Sequence, residues 1–516
     1  MYLTQGVHRS AQINGNGTAT SFKGRKRNWR EFADRVARLA GALRALGVGP
    51  GDRVSMLGHN SDRYIEYYYA VFWLGAVAVP VNTRWSTAEI LHSLDDSTPS
   101  VLLFDDSFVA QAASIREQAQ SLRQHIFAGE GSTPDWAHDY ERLVTDTAPV
   151  EDLRRGGDAL ATIMYTGGTT GFPKGVMLSH AGLISSLSSL AMVTHTDADA
   201  ITLHAPPLFH MAAAVMMFSA TFFGGCHSII SGFVPALVVN AIAADRVTDI
   251  LLVPTMVKML IDHHDTSGGD LSSIRTLVYG AAPMPEAVLC RAIKALPEAR
   301  FFHAYGQTEL SPGATILDPQ YQTLDGDTSK LRSVGHALPG TEVKVAADDG
   351  AELPRGDVGE IWVRGPNIMM GYWNKPDVTA ATMVDGWVRT GDAGYMDEGG
   401  FLFIVDRVKD MIISGGENVY SAEVENAVLK HPAIADCAVI GVPDDQWGER
   451  VHAVIVPRAG QSVTLNMLIE HCKTLIAGYK CPRSCDVREE PLPLSAAGKV
   501  LKVQLRAPFW TKQDAA

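Results

Sequence analysis

A chain of 516 residues with 46% hydrophobic and 20% charged content can bury a large core and is long enough for more than one domain. A net charge of -13 argues against a nucleic-acid binder, whose phosphate contacts need clustered Lys and Arg. Six scattered cysteines suggest neither a disulfide framework nor a zinc site, so reduced thiols and a cytoplasmic location are expected.

In chain order, the amino end shows no charged region followed by an apolar one, so no secretory signal is expected. The basic run Lys23, Arg25, Lys26, Arg27 and Arg30 reads as a solvated loop entering a helix. Over 28–46, Phe32, Val36, Leu39, Leu43 and Leu46 share one helical face. Asn28 and Glu31 are spaced as a capping box, and Gly47 is placed to end that helix. "RVSML" at 53–57 reads as a strand, "YIEYYYAVFWLG" as a helix and "AVAVPV" as a buried strand. The apolar stretches 67–81 and 211–225 fall short of the ~20 residues a membrane-spanning helix needs. They read as buried helices, and a peripheral membrane contact stays open.

"DILLVP" at 249–254 and "IRTLVYG" at 274–280 repeat the strand grammar, so the body is expected to be α/β with parallel sheets. After about Gly335, short strands and turns indicate a small β unit. Past Asp406, "SAEVENAVLKH", "DCAVIGV" and "VHAVIVP" indicate a separate, smaller α+β domain.

The segment "YTGGTTGFPKG" at 165–175 has the content of a phosphate loop without the usual layout. A nucleotide P-loop sets Lys and Ser/Thr directly after its last glycine, whereas Phe172 and Pro173 separate Gly171 from Lys174 here. Thr166, Thr169 and Thr170 still offer hydroxyls, and Gly167, Gly168 and Gly171 let backbone N–H groups approach an anion. A polyphosphate is the ligand this chemistry suits.

Further segments accompany the loop: "YGQTE" at 305–309, "TGD" at 390–392, "DRVKDMIISGGENVYSAEVE" at 406–425 and "PLSAAGKVLK" at 493–502. Their order and spacing resemble the adenylate-forming superfamily, specifically the acyl-CoA synthetases and fatty-acid-CoA ligases, through nearly the whole chain. The resemblance implies a small-molecule carboxylic acid activated by ATP to an acyl-AMP, with pyrophosphate released, and then passed to coenzyme A. It implies an adenylation domain over 1–408 and a small mobile domain over 409–516. Medium- or long-chain fatty acids are the first expectation. Aryl or cinnamate-type acids, and loading onto a carrier protein, are the alternatives. A homodimer is compatible with this reading.

The same resemblance implies residue roles. Thr166, Gly167, Gly168, Thr169, Thr170 and Lys174 would hold the departing pyrophosphate. Thr308 would bond the phosphates, and Glu309 would bind Mg2+ as one carboxylate among phosphate oxygens. Gly280, Ala281, Ala282 and Pro283, with His303, Ala304, Tyr305 and Gly306, would enclose adenine. Asp392 and Arg407 would bind the ribose hydroxyls. Lys499 would bridge the carboxylate and the α phosphate and stabilise the transition state. Lys409 would be the hinge, and Gly415 and Gly416 would admit the pantetheine arm. Trp447, Lys480 and Arg483 would meet coenzyme A. His210 would gate an acyl tunnel walled by 211–223, Val278 and 310–314, or steer the thiol. Ser421 and Lys502 stand where the family commonly has Pro and Arg, and Gly167 where many members have Ser.

An ATPase or kinase cleaving the β–γ bond is disfavoured by the lysine spacing. A noncatalytic nucleotide module is disfavoured by the joint presence of Glu309, Asp392 and Lys499. No Gly-x-Ser-x-Gly elbow is present.

Overall fold

Asn28 starts the first long helix as its side chain dictates. Its Oδ1 accepts from the Glu31 amide and Glu31 Oε2 accepts from the Asn28 amide, both at 2.9 Å. This reciprocal cap satisfies two otherwise orphaned donors. The helix runs Trp29–Ala45, buries Phe32, Val36, Leu39 and Leu43, and ends before Gly47, whose φ is +92°. The computed structural model describes residues 1–167, 173–282, 284–324, 327–415, 417–444, 446–494 and 500–510. It contains two compact units, one of Met1–Val343 with Val363–Val388, the other of Lys344–Trp362 with Arg389–Ala516.

The first unit is built on two sheets. In one, Arg53–Leu57 lies parallel to Val77–Pro80 and Val101–Phe104, and Leu160–Thr166 extends the parallel set. Lys174–Ser179 then pairs antiparallel with Leu160–Thr166, and Gly371–Tyr372 adds an antiparallel edge. In the other, Cys226–Ile229, Ile201–His204, Asp249–Leu252, Thr276–Gly280 and Arg300–Gly306 are parallel neighbours, followed by antiparallel Gly313–Leu317. Two largely buried helices fill this unit. Asp62–Trp73 is buried along its whole length, and Phe218 of Met211–Phe223 meets Tyr68 with ring centroids 5.4 Å apart. Tyr67 keeps its buried hydroxyl satisfied by donating to Val54 O at 2.8 Å and accepting from the Val79 amide at 3.0 Å. Among the described residues, no helix is long and apolar enough to cross a membrane.

The basic run is not a solvated loop. Arg25–Asn28 is a strand in a hairpin with Thr18–Phe22. Arg25 pairs with buried Asp62 at 2.8 Å, and Arg27 lies 3.6 Å from buried Glu66. Both acidic partners come from one distant helix, Asp62–Trp73, so local sequence could not reveal that these charges are neutralised from within.

Several histidines are buried in the same unit. Burial lowers His204 to about 3 and His303 to about 4, and it holds His227 well below its ordinary value. His204 Nε2 lies 2.8 Å from His227 Nδ1, and His227 Nε2 lies 3.0 Å from Thr221 Oγ1. The unfolded chain takes up these protons near pH 6.5, while the folded chain refuses them until about pH 4. Stability is therefore complete above that upper value and falls as the pH drops through the window. The melting temperature is expected to decline between neutral pH and ~pH 5; a flat profile there would contradict it.

The second unit is a smaller α+β body. The antiparallel hairpin Ile434–Asp444 with Gly448–Pro457 forms its centre, and Ser484–Val487 joins in parallel. Helices Ser421–Leu429 and Leu465–Lys473 bury Val424, Val428 and Leu468 in one cluster with Val439, Val451 and Ile455. The fold is thus a large N-terminal α/β domain with parallel sheets and a small C-terminal α+β domain.

Candidate active site

Leu160–Thr166 and Lys174–Ser179 form a hairpin whose last pair sets Thr166 opposite Lys174. The glycine-rich segment therefore joins two antiparallel strands, whereas a P-loop runs from strand into helix. Gly168, Thr169 and Thr170 lie outside the described residues, as do Pro283, Gly416 and Lys499. Gly167 is exposed, with open space beside its Cα. Tyr165 anchors the hairpin, its hydroxyl donating to Asp96 Oδ2 at 2.6 Å. Burial first, then Asp96, raises the Tyr165 pKa, so this bond persists across ordinary pH.

The residues expected to enclose adenine stand at the carboxyl ends of neighbouring strands. Thr276–Gly280 and Arg300–Gly306 set Tyr279 beside His303 and Gly280 beside Ala304. The Tyr279 and His303 rings stack at 4.6 Å, and His303 Nδ1 lies 2.9 Å from Ser333 O. A Cβ on Gly280 would collide with the carbonyl oxygen of Ala304, so only glycine permits this approach. Ala281 follows at φ +67°, a left-handed conformation costing an L-residue roughly 1–2 kcal/mol. Ala282 is half-buried beside it. Tyr305 and Gly306 close the second strand, and Thr308 and Glu309 follow in a short 3-10 turn, Thr308–Leu310. This is the sheet edge where open α/β folds bind ligands.

Glu309 and Lys174 meet through a residue that sequence reasoning missed. The Tyr372 hydroxyl donates to Glu309 Oε1 at 2.8 Å, and Lys174 Nζ lies 4.5 Å from the centre of the Tyr372 ring. The only local signal was "GYWN" after an apolar run, which reads as a buried turn. Among the described residues there is no cluster of three or more metal-ligating side chains. Mg2+ requires none, because it is usually held by one or two carboxylates plus phosphates and water. The half-buried Glu309 carboxylate fits that pattern.

His210 caps the amino end of Met211–Phe223, its ring 4.5 Å from that of Phe209. Val278 and Leu310 are buried.

In the second unit, Asp392 and Arg407 sit opposite each other on the hairpin Trp387–Met396 with Leu402–Arg407. Asp392 is buried and Arg407 Nε reaches its Oδ1 at 2.7 Å, a carboxylate oriented by a guanidinium. Gly415 has φ +64°, donates to Trp447 O at 2.8 Å, and has no room for a Cβ beside the Trp447 ring. Arg483 lies 4.3 Å from the centre of that ring. Lys480 is instead bound to Glu423, both carboxylate oxygens at 2.8 Å. Burial works against its charge, but Glu423 outweighs burial and the pKa rises.

The residues around Lys409 are held by the last helix, Lys502–Trp510. Arg506 donates to Lys409 O at 3.1 Å and pairs with Asp410 at 3.0 Å. Lys502 pairs with Glu425 at 2.8 Å and donates to Ser421 Oγ. The departures Ser421 and Lys502 thus face each other, the hydroxyl accepting from the shorter cation.

A cavity of about 280 Å³ touches Asp249, Arg275, Thr276 and Arg300. Those residues begin the parallel strands, so the cavity lies at the edge opposite Gly280 and Gly306.

The chain matches known proteins along nearly its whole length. Residues 7–373 match the AMP-binding enzyme family, and 423–499 match the AMP-binding enzyme C-terminal domain. The chain belongs to the AMP-binding enzyme family. Within it, the chain is an adenylate-forming acid–thiol ligase of the acyl-CoA synthetase type. It is 39% identical over 502 residues to a feruloyl-CoA synthase of Amycolatopsis sp, covering 97% of this chain and 98% of that one. It is 35% identical to the long-chain-fatty-acid–CoA ligase FadD13 of Mycobacterium tuberculosis over 92% of this chain and 91% of that protein. The o-succinylbenzoate CoA synthetase of Bacillus subtilis, solved with an acyl-adenylate intermediate, superposes with a TM-score of 0.86 at 32% identity, each chain covered to 97%.

Proposed function

We propose that the chain is an ATP-dependent ligase joining an apolar carboxylic acid to coenzyme A, with a cinnamate-type aryl acid as first substrate class and a medium- or long-chain fatty acid as second. Similarity to a feruloyl-CoA synthase at 39% identity, against 35% to a long-chain-fatty-acid ligase, supports placing the aryl acid ahead of the fatty acid first expected from the sequence. The observation that carries the reaction is the meeting of Lys174 and Glu309 on one tyrosine at the carboxyl edge of the sheets. A fixed cation and a fixed carboxylate suit a triphosphate and its divalent counter-ion.

In the first step, an oxygen of the acid attacks the α phosphorus, the bond to the bridging oxygen breaks, and pyrophosphate leaves. Lys174, Thr308 and the loop of Thr166, Gly167, Gly168, Thr169 and Thr170 hold the phosphates. Tyr305 and the segment from Gly280 to Pro283 hold the base, and Asp392 with Arg407 holds the ribose. Mg2+ held at Glu309 would neutralise charge on the departing pyrophosphate. The Lys499 ammonium stabilises charge building at phosphorus. In the second step, the thiol sulfur attacks the acyl carbon, the bond to AMP breaks and the thiol proton passes to solvent. His210 orients the incoming thiol, while Gly415 and Gly416 leave room for its arm. Trp447 and Arg483 contact coenzyme A. The domain over 409–516 moves about Lys409 between the steps.

Pyrophosphate release across cinnamic, benzoic and fatty acids, with and without coenzyme A, tests this reading. A preferred acid whose acyl-CoA appears together with AMP is expected; ADP and phosphate as products would overturn it.

A further inference from the structure

Residues 365–374 form a strap across the first unit. The Met370 amide donates to Met177 O at 2.9 Å and the Trp373 amide to Gly175 O at 2.7 Å, which fixes Tyr372 opposite Val176. The Met369 amide donates to Glu309 O at 2.8 Å, and Asn367 Nδ2 donates to Leu310 O at 3.0 Å. Trp373 Nε1 donates to Asp96 O at 2.9 Å, on the residue that also holds Tyr165. The strap therefore ties the phosphate hairpin to the turn bearing Glu309.

Directly opposed residues of antiparallel strands point to the same side, and so do residues two apart on one strand. Tyr372, opposite Val176, thus shares a face with Lys174. Tyr372 is 6% exposed, so its ring is fixed by packing, and its hydroxyl reaches Glu309 while its face meets the Lys174 ammonium. A cation within ~6 Å of a ring centroid is held by the quadrupole of the ring. A hydroxyl bonded to a carboxylate fixes which way that carboxylate faces.

We propose that Tyr372 is a positioning residue for nucleotide and metal binding. Its hydroxyl aims the Glu309 carboxylate at the divalent ion, and its ring holds Lys174 at the phosphates. This rests on the ligase reading above and adds to it a residue that touches neither substrate.

The two contacts separate by substitution. Tyr372→Phe keeps the ring and removes the hydroxyl, whereas Tyr372→Leu removes both. The probe is a non-hydrolysable ATP analogue titrated calorimetrically with and without Mg2+. In the wild type, Mg2+ is expected to strengthen binding. In Tyr372→Phe that strengthening should shrink by ~10-fold, as removal of a residue orienting a metal ligand typically does, with metal-free binding unchanged. In Tyr372→Leu, metal-free binding should weaken too. In a Glu309→Gln background, Tyr372→Phe should have no further effect, because the carboxylate it orients is gone. Wild-type Mg2+ dependence retained in full by Tyr372→Phe would overturn the proposal. Failure of the wild type to bind the analogue at all would instead overturn the ligase reading.

Discussion

Lys499→Ala is expected to slow acyl-adenylate formation by ~100-fold or more while leaving thioester formation from supplied acyl-AMP nearly intact. The asymmetry follows from where charge develops. In the first half-reaction, negative charge accumulates on the phosphorus oxygens, and a preorganised ammonium stabilises that state more than the ground state. In the second, the bond made is carbon to sulfur, charge develops at the acyl carbonyl and the departing AMP oxygen, and the domain that bears Lys499 has moved between the steps. Lys499 lies outside the described residues, and the residues on either side of 495–499 are held by contacts. Leu494 bridges Val500, the Leu501 amide donates to Pro493 O at 2.8 Å, and Lys502 is anchored on Glu425. Single-turnover measurement of each half-reaction checks this; equal loss of both would contradict the assigned role.

Glu66→Ala is expected to cost ~3 kcal/mol of stability, because it takes a fully buried carboxylate away from two half-buried cations and a buried hydroxyl. Glu66 is fully buried and accepts from Arg35 at 2.6 and 3.0 Å and from the Tyr140 hydroxyl at 2.6 Å, with Arg27 at 3.6 Å. Arg35 also pairs with Glu141 at 2.9 Å, so one carboxylate remains to it, whereas Arg27 is left with longer contacts. Glu66→Gln should cost less, since an amide oxygen can still accept from Arg35. Urea unfolding compares the three proteins. A loss below ~1 kcal/mol for Glu66→Ala, as for an exposed ion pair, would show that the network is solvated rather than structural.

What the sequence made legible was local or motif-borne. The capping box of Asn28 and Glu31 was readable because both partners lie within one turn. Strands at 53–57 and 276–280 announced themselves by apolar, β-branched runs. The order of the glycine-rich loop, "YGQTE", "TGD" and "GK" motifs carried the family. Long-range pairing was not legible. Arg25 finds Asp62 and Glu130 across the chain, and no local pattern announces partners at such separation. Lys480 was read as a ligand-facing cation, but its bond to Glu423 shows a charge already engaged. Tyr372 escaped notice because a tyrosine beside a tryptophan after an apolar run is ordinary core composition. Only the register Tyr372 opposite Val176 reveals that its ring faces Lys174.

The central claim is attack of a carboxylate on the α phosphorus of ATP. It is tested most directly by running the reaction with an acid labelled with 18O in its carboxylate, then weighing the products by mass spectrometry. The expected result is one labelled oxygen in AMP and none in pyrophosphate. Label in inorganic phosphate, or ADP in place of AMP, would contradict it.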